Sequence, residues 1–371
     1  MPKSMNMKVW VMAVALLALA GQVRAQLSNP ISNRVINYKT VFDDPYDINQ
    51  LWIGISPLSA YVSGTNMALG FSLTTRIMLG SKAQINGVYQ GSYGKGLDQV
   101  RFLAEKNGGI NYRSGLERRD RTIAQNNNFV PFTHLELGGQ YAIADREVKG
   151  TSKIMLTSKK ARVMEFTNVD YVVVNSKTRH IWAARAGAKL FGSAVILNPA
   201  MKKQNLSLKA TDGTTLMPNG STVSADGATS RGTGNQLFSN LQYIGAYVGG
   251  SYTRINNVTI KADKFGNLAN NVAFTAYSDF IVAPKPILTE VQLESATGPT
   301  NKVDVSGLKV NKLGFRTGFD IFYNQDLHYS VGAEVGYAPG LRNQRLYMMA
   351  RFSFPTFSFK IKRNRLSNQM N

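Results

Sequence analysis

Between Leu313 and Phe354 the chain alternates apolar with polar or small residues at a period of two, three times in succession, which restricts it to hairpin-linked β-strands. In LGFRTGFDIFY, Leu313, Phe315, Thr317, Phe319, Ile321 and Tyr323 share one face, and Gly314, Arg316, Gly318 and Asp320 share the other. After the turn Asn324-Gln325-Asp326, Leu327, Tyr329, Val331, Ala333, Val335 and Tyr337 oppose His328, Ser330, Gly332, Glu334 and Gly336. Past Pro339-Gly340, Leu346, Met348, Ala350, Phe352 and Phe354 oppose Arg345, Tyr347, Met349, Arg351 and Ser353.

The same logic recurs upstream. Thr133, Leu135, Leu137, Gly139, Tyr141 and Ile143 oppose His134, Glu136, Gly138, Gln140 and Ala142, and Met67, Leu69, Phe71, Leu73 and Ile77 oppose Ala68, Gly70, Ser72, Thr74 and Arg76. Further strands are expected near 51–62, 82–92, 162–174, 178–191, 238–254 and 269–282. Polar stretches at 105–130, 201–236 and 284–311 read as loops. With 33 Gly, 18 Phe and 16 Tyr, the composition suits many antiparallel strands, so the fold class is all-β.

Which face meets what decides the architecture. A soluble sandwich buries its apolar face and wets the other, whereas a membrane barrel turns the apolar face to lipid and lines its interior with the rest. Here the second face mixes Gly, Ser and Ala with Arg, Asp and Glu, which suits a crowded lumen holding internal ion pairs. The expectation is a closed antiparallel transmembrane β-barrel of about 14 strands (12–16), each needing about 9–11 residues. Phe315, Phe319, Val331, Val335, Met348 and Phe352 are expected to face lipid; Arg316, Asp320, Glu334, Arg345 and Arg351 are expected inside, bracing the interior or lining a pore.

The N-terminus reads as a secretory signal. Lys3 and Lys8 precede a thirteen-residue apolar run, Val9–Gly21, and Val23-Arg24-Ala25 offers a cleavage site before Gln26. That run is shorter than the roughly 20 residues of a spanning helix, and no later segment reaches that length. Without Cys, lipoprotein anchoring, disulfides and thiolate chemistry are excluded. Cleavage after Ala25 leaves 40 basic against 22 acidic residues, a net charge of +18. In an exported chain whose cations are dispersed among strands, the natural counter-charges are lipid phosphate, lipopolysaccharide or an acidic partner protein, and nucleic acid is not an expected partner.

Catalytic and cofactor motifs are scarce. The histidines are His134, His180 and His328. His328, Ser330 and Glu334 lie along one strand at successive spacings of two and four residues, about 7 Å and then about 14 Å by strand rise, too far for a triad. Gly91-Ser92-Tyr93-Gly94-Lys95-Gly96 lacks phosphate-loop spacing, and Asp43-Asp44-Pro45-Tyr46-Asp47 is too short to fill a calcium shell unaided. The expectation is a non-enzyme with no catalytic residues, no metal and no cofactor.

Ala25 directly before Gln26, the aromatic-glycine strands and the run FRTGFDIFY…YSVGAEVGYAPGLRNQRLYMMARFSF together resemble outer-membrane β-barrels of the Bacteroidota, and the chain is loosely similar to PorP/SprF-like barrels of type IX secretion. That resemblance implies a structural or transport component of an outer-membrane assembly with protein partners; a general or anion-preferring diffusion porin is the alternative. The expected organisation is a signal peptide at 1–25, an N-terminal periplasmic segment at 26–50, the barrel at 51–362 and a basic tail at 363–371. Lys360, Lys362, Arg363 and Arg365, with no acid from Phe354 onward, are expected to engage an acidic partner or lipid phosphate.

Overall fold

The computed structural model describes residues 37–359, apart from 49–50, 80–81, 108, 114–119, 125–127, 161–166, 224–226, 228, 231–235, 263–264, 294–300, 324–328 and 343. Ten antiparallel strands dominate: β1 (Leu51–Ser63), β2 (Met67–Leu79), β3 (Ala83–Ser92), β4 (Thr133–Lys160), β5 (Thr167–Ile196), β6 (Phe238–Asn256), β7 (Val272–Val282), β8 (Leu313–Tyr323), β9 (Ser330–Tyr337) and β10 (Leu346–Phe359). Each pairs with its neighbour in sequence, and β10 pairs with β1, from Leu51 opposite Phe359 to Ser63 opposite Tyr347. The ring is therefore closed. A two-residue strand, Ile287–Leu288, adds a short pairing to β6 at Gln242 and Leu241.

Ten strands replace the expected 14, and the difference lies in strand length. The candidate 162–174, from Thr167 onward, and the candidate 178–191 belong to one 30-residue strand, β5, facing a 28-residue β4; residues 162–166 lie outside the described residues. Both far exceed the 9–11 residues that a crossing requires. The segment after Phe354 also adds no separate strand: β10 continues to Phe359, and its pairing with β1 shifts register near Pro355. Proline has no N–H for the ladder, and bulges accommodate it. Pro57 lies at a second shift, between Ile55 and Leu58, with both Pro57 and Leu58 outside. Trp52 and Ser56 point inward before that bulge, and Ser59 and Tyr61 after it.

The chain divides into two compact units. The smaller comprises the residues up to Asp47 together with Glu147–Arg179 and Ile255–Val272. In it, Tyr38–Asp43, Val258–Ala262 and Gly266–Asn270 form a three-stranded sheet. Ile154, Val174, Val258, Ile260 and Ala262 form its core. The acidic segment at 43–47 is a tied turn here: both Asp43 carboxylate oxygens accept from the Lys177 amide (3.0 and 3.1 Å), and Asn257 Nδ2 donates to the Asp44 and Asp47 carbonyls. The span 51–362, expected as one barrel, thus contributes to both units.

In the larger unit the connections are partly folded. Helix α1 (Gln99–Asn107) is capped by Asp98, whose Oδ1 accepts from the Arg101 amide. Helix α2 (Asn198–Gln204) carries Pro at its start and ends at Asn205 in the left-handed region (φ 50°). The stretches at 201–236 and 284–311, expected as loops, contain short strand pairs at 208–230 and at Val291–Leu293 with Asn301–Val303. At the turn after that pair, the Ser306 amide and hydroxyl both donate to Asp304, which holds its carboxyl below the usual range.

Candidate functional site: a braced lumen

The wall is apolar outside and charged inside. Leu69, Leu73, Leu137, Ile143, Ile244, Val248 and Phe280 are exposed on the outer face, and their strand neighbours Ala68, Ser72, Glu136, Ala142, Tyr243, Tyr247 and Asp279 are buried. A water-soluble barrel would have the opposite polarity. No helix among the described residues is long and apolar enough to cross a membrane, which says nothing against strands. Closed strands that satisfy every backbone group internally are the non-helical way to span lipid, and such barrels belong to the outer membrane. The chain is an outer-membrane β-barrel.

Phe315, Val335 and Phe352 are exposed on the outer face, with Phe319, Val331 and Met348 partly covered beside them. Val331 sits opposite Phe352 and Val335 opposite Met348, so the three C-terminal strands present one apolar band. On the other face Arg316, Asp320 and Glu334 are buried and Arg351 is nearly so. Arg345 differs. It precedes β10, donates to the Leu313 carbonyl at 3.1 Å and lies over the Tyr337 ring, so it sits at the barrel rim outside the lumen cluster. Lys360, Lys362, Arg363 and Arg365 lie outside the described residues.

Arg316 organises the interior. Its guanidinium donates to Glu136 through both Nη1 and Nη2, the latter at 2.8 Å, to Asp279 from Nε at 2.9 Å, and to Glu334 from Nη1 at 3.2 Å. Three carboxylates from three strands converge on one planar fork, a geometry that arginine matches and lysine does not. Around them, Arg185 approaches Asp279 at 3.4 Å and Glu136 at 3.8 Å, and Lys189 approaches Glu334 at 3.7 Å. The Tyr277 and Tyr347 hydroxyls donate to Glu334 at 3.0 and 2.9 Å. The Arg316 guanidinium lies 4.6 Å from the Tyr247 ring centre and that of Arg185 lies 4.0 Å from Tyr277.

Strand spacing gives this cluster its meaning. Glu136 is on β4 and Arg316 on β8, four positions apart in a ring of ten, so the pair bridges the lumen from nearly opposite walls. Lys189 on β5 and Glu334 on β9 do the same. Aromatic residues form a further bridge: Tyr61 of β1 stacks on Phe132 at 4.4 Å and meets Phe191 of β5 at 5.7 Å, and Phe191 stacks on Tyr243 at 5.0 Å. These rings join one apolar cluster with Ala200 and Met201 of α2 and with Leu208, Leu216, Val291, Val303 and Leu308 from the connections. The bore thus holds an ionic bridge and an apolar cap.

Sequence reasoning located Arg316, Glu334, Asp320 and Arg351, and its β4 alternation placed His134 and Glu136 on the inner side. It missed Arg185, Lys189 and Asp279, although Trp182, Leu190 and Phe280 alternate with them on β5 and β7. His134 Nε2 lies 3.7 Å from Glu136, and neither ring nitrogen makes a hydrogen bond; His180 Nδ1 lies 2.6 Å from the Tyr252 hydroxyl. His328 lies outside the described residues. No metal-ligand cluster occurs among the described residues.

No protein-family model matches the sequence, and no curated protein matches it. Among solved structures the chain is similar to the CymD monoaromatic hydrocarbon channel (TM-score 0.20, 9% identity, 85% of this chain and 90% of that one). It is similar also to the P. putida toluene transporter TodX (TM-score 0.20, 9% identity, 85% and 91%). Likeness at this level says nothing of what this chain carries.

Proposed function

We propose that this protein is a non-enzymatic outer-membrane barrel that serves as a structural or transport component of an outer-membrane assembly of the secretion or biogenesis type, in which its loops and outer wall contact protein partners. The observation that carries this reading is the pair of bridges across the bore. A general diffusion porin needs a continuous aqueous path, and salt bridges between nearly opposite strands, backed by an apolar cap, work against one. The resemblance of the C-terminal strands to Bacteroidota barrels, PorP/SprF-like ones included, points the same way. Anionic outer-leaflet lipid and acidic partner proteins suit the net positive charge.

Planar-bilayer recording of the purified chain is the test. The expected outcome is no steady conductance at moderate voltage, together with co-purification of defined protein partners from native membranes. Reproducible, anion-selective open steps from the protein without partners would replace this reading with the porin.

A further inference from the structure

Among the described residues on the inner wall of the larger unit, the charges do not balance. Arg76, Arg185, Lys189, Arg316 and Arg351 face Glu136, Asp279, Asp320 and Glu334, five cations against four carboxylates. Four of the cations have an acid within 4 Å: Arg185, Lys189 and Arg316 as described above, and Arg351 with Asp320. Asp98, the other buried acid among the described residues of this unit, is satisfied elsewhere by Asn66 and the Phe132 amide. Arg76 makes no ion pair among the described residues. It is 8% exposed, its guanidinium lies 3.7 Å from the Phe322 ring centre, and its Nε has no hydrogen-bond acceptor.

A second unpartnered donor lies beside it. Trp52 of β1 is the direct cross-strand partner of Arg76 on β2, is 5% exposed, and its indole Nε1 likewise lacks an acceptor. Indole and guanidinium N–H groups only donate, so neither can satisfy the other. Both side chains line one polar cavity of about 40 Å³, whose other charged lining residues are Arg185 and Arg351 and the carboxylates Glu136, Asp320 and Glu334, the carboxylates already engaged by Arg185, Lys189, Arg316 and Arg351. A water requires about 10–15 Å³ on that measure, so the cavity admits a small anion and no sugar or hydrocarbon.

We propose that this cavity is a binding site for a small monovalent anion, a halide or a carboxylate group, held by the Trp52 Nε1–H and the Arg76 guanidinium. One negative charge there balances the described charges of the inner wall and supplies the acceptor that two buried donors lack. The site goes beyond the assembly reading and holds whether the barrel conducts or not.

The chain has three tryptophans, at 10, 52 and 182, so Trp10→Phe with Trp182→Phe leaves Trp52 as the sole reporter. Bromide, a heavy-atom quencher, is titrated into this variant in nonionic detergent micelles. Expected is a saturable quenching component that chloride and acetate compete away and that phosphate, larger and more charged, does not. Adding Arg76→Gln should weaken the component at least about tenfold, since a charged donor is lost, whereas adding Arg345→Gln at the rim should leave it unchanged. Quenching linear in bromide, with the same slope in Arg76→Gln, overturns the site. Should Arg76→Gln fail to fold, crystals of the unaltered protein grown in sodium bromide decide the question. An anomalous peak within hydrogen-bond distance of Trp52 Nε1 and Arg76 supports the site, and its absence refutes it.

Discussion

Arg316 and Glu136 are 180 residues apart in sequence and join through two parallel hydrogen bonds across the barrel interior. Only closure of the ring brings β4 and β8 to opposite walls, so this contact depends on the whole strand order and on no local element. Its value to the fold depends equally on context. A buried pair gains little over an apolar core of the same shape, but breaking it leaves charge stranded in a low-dielectric interior.

Arg316→Met should therefore be among the most damaging single changes in the lumen. It leaves Glu136, Asp279 and Glu334 without their shared counter-ion, and the expected loss is about 3–5 kcal/mol in reversible urea unfolding in lipid vesicles. Glu136→Gln should cost less, and the double variant less than the sum of the singles, because the second change removes a charge that the first had orphaned. Additive losses would show that the two groups act independently.

The absence of cysteine offers a clean test of the wall's two faces. Phe319 and Asp320 are neighbours on β8 with opposite orientation, Asp320 in contact with Arg351. Phe319→Cys should react with a lipid-soluble maleimide and be protected from a membrane-impermeant one; Asp320→Cys should resist the lipid-soluble reagent. Equal labelling would mean that the register is shifted by one residue.

Much of this was legible in the sequence, for a physical reason. A strand with lipid on one side and packed lumen on the other must alternate at period two, so β2, β4, β8, β9 and β10 announced both their existence and their faces. Strand number was less legible. Asn175-Ser176-Lys177 within β5 reads as a break because these residues favour turns, yet Ser176 Oγ hydrogen-bonds Ser152 Oγ on β4 at 2.6 Å and the strand runs on. The ionic bridge was visible only by halves. Arg316 and Glu334 stand in regular alternation, whereas Arg185 and Lys189 stand among alanines and glycines, and no local pattern says that Glu136 meets a residue four strands away.

The glycines of the inner face have a steric role beside the tyrosines. Gly138 on β4 and Gly187 on β5 lie under the Tyr247 ring, and a Cβ on Gly187 would come within 2.7 Å of Tyr247 Cε1 and 2.6 Å of the Leu137 carbonyl oxygen. The same Tyr247 ring lies 4.6 Å from the Arg316 guanidinium. Gly187→Ala should cost about 1–3 kcal/mol through overpacking, and pairing it with Tyr247→Leu should recover part of the loss. Unfolding midpoints in urea, compared across the three variants, measure this coupling.

Outside, the cost of charge should depend on depth. Val335 neighbours the buried Glu334 of the ionic cluster, whereas Val331 lies next to the first residue of β9. Val335→Arg is expected to lose about 2–4 kcal/mol if that level is the bilayer midplane, with Val331→Arg losing less. Equal penalties at the two sites would place the membrane centre between them.

The last prediction concerns the C-terminus. Leu51 pairs with Phe359, so the chain enters and leaves the barrel at the same end. In bacterial barrels the short turns lie on the periplasmic side, and Leu79 of β2 pairs with Ala83 of β3, only four residues on, at this end. Lys360, Lys362, Arg363 and Arg365 would then follow β10 directly into the periplasm, four cations with no acid after Phe354. Such a cluster attracts an acidic protein surface or inner-leaflet phosphate, and salt weakens either attraction. Ending the chain after Phe359 should leave a folded, heat-modifiable barrel, because closure needs no residue beyond that pair. Native affinity purification should then lose at least one periplasmic protein that the full chain retains at low salt and releases at high salt. Identical co-purifying sets and identical salt dependence for the two chains would leave the tail without a binding role, and would move the search for partners to the connections at the opposite end.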